Sequence, residues 1–478
     1  MRRYLIHTFG CQMNVHDSLR IEEVLSASGY AATEAPETAD LIVFNTCSIR
    51  EKADHKLRSA VGTFRELKEQ KRDLVMVVAG CMAQQRGQAL LDEVDLVDVV
   101  IGPDNIAELP ALIGHVRGGG PPIARTEFDL DAPSFLQAHA SRQRREVSSY
   151  VTVMKGCDER CTFCIVPYTR GSERYRTSDE IVAEVRRLCE AGVREVTLLG
   201  QTVNSWHEPH EPITRDRPSR FAWLLERIAR EVPELGRLRY TSPHPRHVTP
   251  ELVAAHAQLA VLPAHVHLPV QSGSDRVLRM MLRRYRRADF LEAAAALHAA
   301  RPGFTLSTDI IVGFPGETEE DFQATLSLVR EAGFVSVFAF KYSPRPHTPA
   351  LRLGDTVSEE IKTERLARLF EVADAQQAAH LQSLLGRSLE VLLEGRSKTD
   401  AQRMTGRSER HEIVHVSIPP GVAKQELQGE LVRVRCVEAN KRSLVAELLE
   451  PPRAPSAARI PNPLPTAKSG LRLPLLPS

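Results

Sequence analysis

No run of apolar residues in this 478-residue sequence approaches the length of a membrane span, and the N-terminus, MRRYLIHTFG, lacks the continuous apolar stretch of a signal peptide. Both absences point to the cytoplasm, where thiols stay reduced and a cysteine cluster is more readily a metal site than a disulfide framework. Net charge is nearly absent too, +1 overall. That total argues neither for nor against a nucleic-acid partner, so any basic surface has to be local. Cysteine is scarce, at eight residues. What is present is the profile of a soluble globular protein, 42% hydrophobic and 26% charged. The chain is too long for one ordinary domain.

Three α/β and β patterns follow one another. Residues 1–118 alternate short apolar runs (RYLIHTF, DLIVFNT, LVMVVAG, LVDVVIG) with helical stretches such as HDSLRIEEVLSASG and REKADHKLRSAVGTFRELKEQKR. Such runs suit strands buried on both faces, so a doubly wound parallel α/β domain is expected. Residues 119–142 are rich in Gly, Pro and acids without a period and read as a linker. A second series over 143–375 contains SSYVTVMKG, REVTLLGQ, RLRYTSPHP, AHVHLPVQSG, FTLSTDIIVGFPGE and FVSVFAFKYSP, with helical segments between them. Six such units are too few for a closed eight-fold barrel and suit a partial (β/α)6 barrel, with its site at the carboxyl ends of the strands. Over 377–450 the strands become short, alternating and β-branched, as in a small antiparallel β-barrel. The Pro-rich tail at 451–478 reads as disordered.

Cys157, Cys161 and Cys164 follow the first strand of the partial barrel. Thiolates spaced this way can hold one corner of a cubane iron–sulfur cluster. Structural zinc normally wants four ligands, and no fourth cysteine or nearby histidine completes the set. Three ligands on four irons leave one iron open to a substrate. Cys11, Cys47 and Cys81 each come just after a predicted strand of the first domain, about 35 residues apart. Carboxyl ends of neighbouring parallel strands share a crevice, so these thiols can converge there. Gln12, Asn14, Asn45 and Gln84 are placed to line it and to hydrogen-bond sulfur. The alternative is three ordinary buried cysteines, against which the repeated strand-end position counts. Cys189 in a helix and Cys436 in a strand read as core residues.

Through these cysteines and the motifs around them, the sequence resembles the methylthiotransferases of the radical S-adenosylmethionine superfamily, nearest to the bacterial branch acting on dimethylallyl-adenosine in tRNA. The resemblance rests on TFGCQMN, NTCSIREKA, CTFCIVPYTRG, LLGQTVNSW, LPVQSGSDRVLRMM and IIVGFPGETEEDF and spans residues 1 to about 450. It implies two 4Fe-4S clusters. The Cys157/Cys161/Cys164 cluster would bind S-adenosylmethionine at its open iron and cleave it to a radical. The Cys11/Cys47/Cys81 cluster would carry the sulfur that is inserted, and a second S-adenosylmethionine would supply the methyl group. Implied partners are tRNA, an electron donor and an iron–sulfur or sulfur-delivery protein, with no membrane and a monomeric chain. The last domain resembles a TRAM domain, an RNA-binding module, although its basic residues (Arg396, Lys398, Arg403, Arg407, Arg410) are balanced by acids, as on any solvated face.

Strand-end position suggests Gln201, Asn204, Ser242, Gln271, Ser272 and Asp309 for the S-adenosylmethionine pocket, with ordinary loop packing as the alternative. Arg283, Arg284, Arg286 and Arg287, around Tyr285, suit phosphate contacts or equally a charged helix surface. GFPGET from Gly313 lacks the Lys–Ser/Thr ending of a phosphate loop. One departure from the family pattern is Tyr175, where RGSERYRT has tyrosine in place of the expected serine. Two rival functions are kept: methylthiolation of threonylcarbamoyl-adenosine or of a ribosomal protein, and, more remotely, a non-enzymatic iron–sulfur carrier or redox sensor. A carrier would not need a barrel with an open-iron cluster at its mouth.

Overall fold

The computed structural model describes residues 1–48, 53–129, 135, 146–211, 219–397, 400–419 and 424–449. The tail at 451–478, most of 130–145 and Lys398 lie outside the described residues. Two compact units share them: one holds 1–129 and 165–174, the other 146–164 and 175–449. Among the described residues no helix is long and apolar enough to cross a membrane.

The first unit is built on β1 (Arg3–Thr8), β2 (Ala31–Ala32), β3 (Leu41–Thr46), β4 (Val75–Gly80), β5 (Val99–Ile101) and β6 (Ile123–Arg125). They form one parallel sheet in the order β2-β1-β3-β4-β5-β6. The apolar runs anticipate β1, β3, β4 and β5. Two edge strands carry too little hydrophobic signal to be read: β2 is two alanines, and β6 falls inside the stretch 119–142 expected to be linker. Both faces are covered. Phe44, Met76 and Val78 pack with Leu57 and Leu90 on one side, Val43, Val77 and Ile101 with Ile21 and Leu109 on the other. The single helix read across KADHKLRSAVGTFRELKEQ is two, Ala53–Gly62 and Arg65–Gln70, broken where Gly62 weakens the helix. The strand order reverses between β1 and β3, which makes the crevice at their carboxyl ends the natural site of this sheet.

The second unit contains β7 (Ser148–Thr152), β8 (Glu195–Leu199), β9 (Arg237–Tyr240), β10 (His265–His267), β11 (Thr305–Val312) and β12 (Ser336–Lys341). The expected partial barrel is present as two parallel three-stranded halves, β9-β8-β7 and β10-β11-β12. The small C-terminal barrel is closed from β13 (Ser388–Arg396), β14 (Arg403–Ser408), β15 (Ile413–Ser417), β16 (Leu431–Ala439) and β17 (Ser443–Leu448). Its ladders are antiparallel except β15 with β17. Five strands cannot alternate direction all the way round a ring, so one neighbouring pair has to run parallel. Alternating residues of β16 point inward, as the period-two pattern anticipates, and Val432, Val434 and Cys436 join that core.

The small barrel closes the amino end of the partial one. Arg237 donates to the carbonyls of Arg407 and Glu390, and Arg239 to those of Ser408 and Glu409. Glu195 accepts from Arg239 at 2.9 Å, and the His411 ring stacks on His265. Arg410 reaches the carbonyl of Gly303 at 2.6 Å.

Candidate metal centres and the barrel mouth

In the first unit, Cys11, Cys47 and Cys81 follow β1, β3 and β4 directly. The loops that carry them are tied by asparagines. Asn14 donates to Asn45 Oδ1 and to the Thr46 carbonyl, Asn45 donates to the Asn14 carbonyl and to Ser18, and Asn14 Oδ1 accepts from the amide and thiol of Cys11. Of the polar residues expected here, Gln84 instead donates to the Thr126 carbonyl and Gln12 is exposed. Two glycines precede cysteines because nothing larger fits. At Gly10 (φ +143°) a Cβ would lie 2.6 Å from Cys47 Cβ, and at Gly80 (φ +96°) 2.4 Å from Asn45 Oδ1.

The three thiols are not equivalent. A hydrogen bond from the Cys47 thiol brings the Cys11 pKa down to about 6 against the effect of burial, with help from the Asn14 amide and the Arg170 charge. Burial pushes the Cys81 thiol up, opposed by Arg170. Arg170, from the segment after Cys164, donates through Nε to Cys81 Sγ at 3.3 Å and forks onto Asp17 at 2.6 and 3.4 Å. Arg170 and Asp17 are each 5% exposed. Burial alone would raise the Asp17 carboxyl, yet the charge of Arg170 and the hydrogen bonds of His16 and Arg170 hold it at about 2. These features fit a thiolate-ligated cluster: convergent soft ligands, one acidified thiol, and a buried cation donating to a second sulfur.

Removing one partner of such a buried pair leaves the other charge uncompensated. Asp17→Ala is expected to lower stability by about 3–5 kcal/mol in a urea titration of the metal-free protein. An unchanged midpoint would show that the pair contributes nothing. Because the folded carboxyl is depressed, this stability is complete above roughly pH 4 and is lost as pH falls through about 2.

In the second unit, Cys157, Cys161 and Cys164 lie on the loop after β7, at the carboxyl end of the partial barrel. Thr202, after β8, places its hydroxyl 3.0 Å from Cys157 Sγ. Arg283 donates to Cys161 Sγ at 3.2 Å, to the Pro269 carbonyl and to the Tyr285 hydroxyl. Burial works against the Arg283 charge, but Tyr285 and Cys161 more than offset it. This corrects one expectation, since a guanidinium 6% exposed and spent on sulfur and carbonyl cannot serve as an RNA phosphate contact. Its neighbour Arg287 is held by the Ala324 carbonyl and Glu331, whereas Arg284 and Arg286 are exposed. Here too the donor set fits a cluster held by three thiolates, with a hydroxyl and a guanidinium on its sulfurs.

Glu159, between the first two cysteines of this loop, meets His244 and His247, and their ligand atoms lie within 4.8 Å of one another. A cation is disfavoured there. Arg246 stands 3.8 Å from Glu159 Oε2, and its backbone N–H donates to His244 Nδ1, which puts the neutral ring's proton on Nε2. Burial, then the nearby Arg283 charge, drives the His244 pKa down to about 2. The group instead pins the cysteine loop, chiefly through the 2.9 Å contact of His247 Nε2 with Glu159 Oε1.

The residues expected around S-adenosylmethionine divide. Ser242 and Gln271 hold φ of +59° and +70° at the ends of β9 and β10, a strained backbone of the kind found at ligand sites. Gln201 is half-buried after β8. Asn204 is fully buried and spends both ends of its amide on the backbone of His244, and Ser272 faces Thr325 and the Ser274 amide. Asp309 points along the inner face of β11 toward His267, 3.2 Å away. Tyr175, at the departure from the family pattern, packs its ring on His207 with centroids 3.8 Å apart. Sequence reasoning missed Arg170, Thr202 and Arg283 as sulfur neighbours. Arg170 and Thr202 stand inside the motifs CTFCIVPYTRG and LLGQTVNSW, and Arg283 reads from sequence as a phosphate contact or a charged helix surface.

Residues 3–102 match uncharacterized protein family UPF0004, and residues 151–329 match the radical SAM superfamily. A relative from Sorangium cellulosum (strain So ce56), the tRNA-2-methylthio-N(6)-dimethylallyladenosine synthase, is 58% identical over 479 aligned residues, covering 96% of each chain. Among solved structures, the radical S-adenosylmethionine methyltransferase TsrM from Kitasatospora setae with cobalamin and a [4Fe-4S] cluster shares the fold with a TM-score of 0.51 at 16% identity, over 73% of this chain and 77% of that one. The same enzyme with tryptophan and a SAM analogue gives 0.52 at 15%, over 73% and 75%. The cysteine triads at the strand ends and the near full-length match agree: the chain belongs to the MiaB-type radical S-adenosylmethionine methylthiotransferase family.

Proposed function

We propose that this chain places a methylthio group on carbon 2 of dimethylallyl-adenosine at position 37 of tRNA, beside the anticodon, using S-adenosylmethionine both for the radical and as methyl donor. The observation that carries this reading is the 58% identity, across 96% of both chains, to a relative named for that activity. When bound, two 4Fe-4S clusters and S-adenosylmethionine supply the electron, the radical, the sulfur and the methyl group, because no protein acid or base activates an aromatic C–H.

The chain's own residues hold and bias these groups. Cys157, Cys161 and Cys164 hold the cluster that takes S-adenosylmethionine, and Arg283 and Thr202 steady its sulfurs. Cys11, Cys47 and Cys81 hold the auxiliary cluster, with Arg170 donating to one sulfur. Gln201, Ser242 and Gln271 border the S-adenosylmethionine pocket. Exposed Arg284 and Arg286, with the TRAM-like barrel, meet the RNA backbone. An electron donor and a sulfur-delivery protein complete the cycle, and the enzyme works as a cytoplasmic monomer.

A prenyl group fills apolar space that unmodified adenosine leaves empty, at roughly 0.8 kcal/mol for each CH₂ buried, which sums to a strong preference. The base has to leave the anticodon stack to present carbon 2, as in other single-stranded RNA recognition. The expected result is 2-methylthio product from prenylated tRNA and little from unprenylated tRNA, read by mass spectrometry of nucleosides. Equal turnover of both, or turnover of threonylcarbamoyl-adenosine alone, would overturn the substrate assignment.

A further inference from the structure

The inner face of the second half-barrel is chemically graded along its length. Register pairs His265 with Thr305, His267 with Ser307, Ser307 with Ser336, Asp309 with Phe338 and Ile311 with Phe340. Side-by-side partners in parallel strands point to the same face. The opposite face, with Leu306, Ile310 and Val312, is buried, and Lys341 there reaches Glu359 and Thr363 of the helix Glu359–Ser383. At the amino end the inner face is filled by the His265–His411 stack. Midway it carries the His267–Asp309 pair, with Phe338 edge-on to His267 at 5.7 Å. Nearest the carboxyl end lie Ile311 and Phe340, and Ile311 packs against the same cluster (Val277, Met281, Phe314, Tyr342 and Ala350) as Phe163, which sits between Cys161 and Cys164.

On this face Phe338 is 40% and Phe340 53% exposed. Two large apolar rings left uncovered on the inner side of a strand are costly unless a ligand covers them. The ligand must be flat, partly apolar and able to hydrogen-bond at one edge, since an imidazole and a carboxylate stand beside Phe338.

We propose that Phe338 and Phe340 form the platform on which the prenylated adenine lies inside the barrel, one ring against the purine face and the other, with Ile311, against the branched five-carbon chain. The inference rests on the reading of function above and deepens it, because it names the residues that distinguish prenylated from unprenylated tRNA. The His267–Asp309 pair then faces the polar edge of the base.

The test uses the holoenzyme with both clusters loaded. Phe338→Ala and Phe340→Ala should keep the wild-type iron content and the same release of 5′-deoxyadenosine without tRNA. Each should lower kcat/KM for prenylated tRNA on the order of ten- to a hundredfold, mainly through KM, and Phe340→Ala should erase most of the preference over unprenylated tRNA. Phe340→Trp should restore most of the loss. Should an alanine variant lose iron, Phe340→Leu is read in its place, and a weaker KM with full iron is again required. Wild-type kinetics on prenylated tRNA in all these variants would overturn the platform while leaving the proposed function standing. A wild-type enzyme inactive on prenylated tRNA would remove the proposed function and the platform with it.

Discussion

Replacing Cys157, Cys161 and Cys164 together with alanine will leave about four irons per chain where the reconstituted wild type holds about eight, and will end both S-adenosylmethionine cleavage and methylthiolation. The loss is expected to be total because the proposed function gives the cluster no protein ligands but these three, and their described neighbours cannot replace them. Thr202 and Arg283 hydrogen-bond to sulfur and bind no iron, and the adjacent histidine–carboxylate group is spent on holding the loop beside Arg246. Iron analysis and 5′-deoxyadenosine release under dithionite read the two effects separately. A triple variant that keeps the full iron content would overturn the assignment of the triad.

Substituting Cys11, Cys47 and Cys81 will abolish methylthiolation just as completely, yet S-adenosylmethionine cleavage will continue. The two triads belong to different compact units, each with its own sheet and its own buried arginine on a sulfur. The variant enzyme should hold about four irons, release 5′-deoxyadenosine, and yield no 2-methylthio product from prenylated tRNA. Loss of 5′-deoxyadenosine release with the second cluster still loaded would contradict this division of labour.

Much of this arrangement is legible in the sequence where the signal is local. Strands buried on both faces announce themselves as apolar runs, so β1, β3, β4 and β5 and the strand-end placement of the six cysteines of the two triads follow from residue order. The edge strands β2 and β6 give no such signal, because a strand of two alanines or of Ile-Ala-Arg is defined only by the neighbour it pairs with. The arginines show a second limit. A charged cluster such as RRYRR reads as surface, and only the fold reveals that its first member turns inward to a cysteine while Arg284 and Arg286 stay outside. Asn204 shows the converse. Its position at a strand end suggested a ligand contact, but in the fold its amide fastens the loop that carries His244.

Deleting the C-terminal barrel is the obvious way to ask whether RNA binding matters. Here, however, its loop 407–411 is the stopper of the catalytic barrel, supplying the carbonyls that satisfy Arg237 and Arg239 and the ring that covers His265. Truncation before β13 would remove the carbonyls that hold Arg237 and Arg239 and the ring over His265, and would open the lower end of the barrel to solvent. A truncated enzyme that fails would therefore report a leaking reaction chamber as readily as a lost grip on tRNA. Point substitutions on the outer face of the small barrel, which leave the stopper seated, are the variants that separate the two.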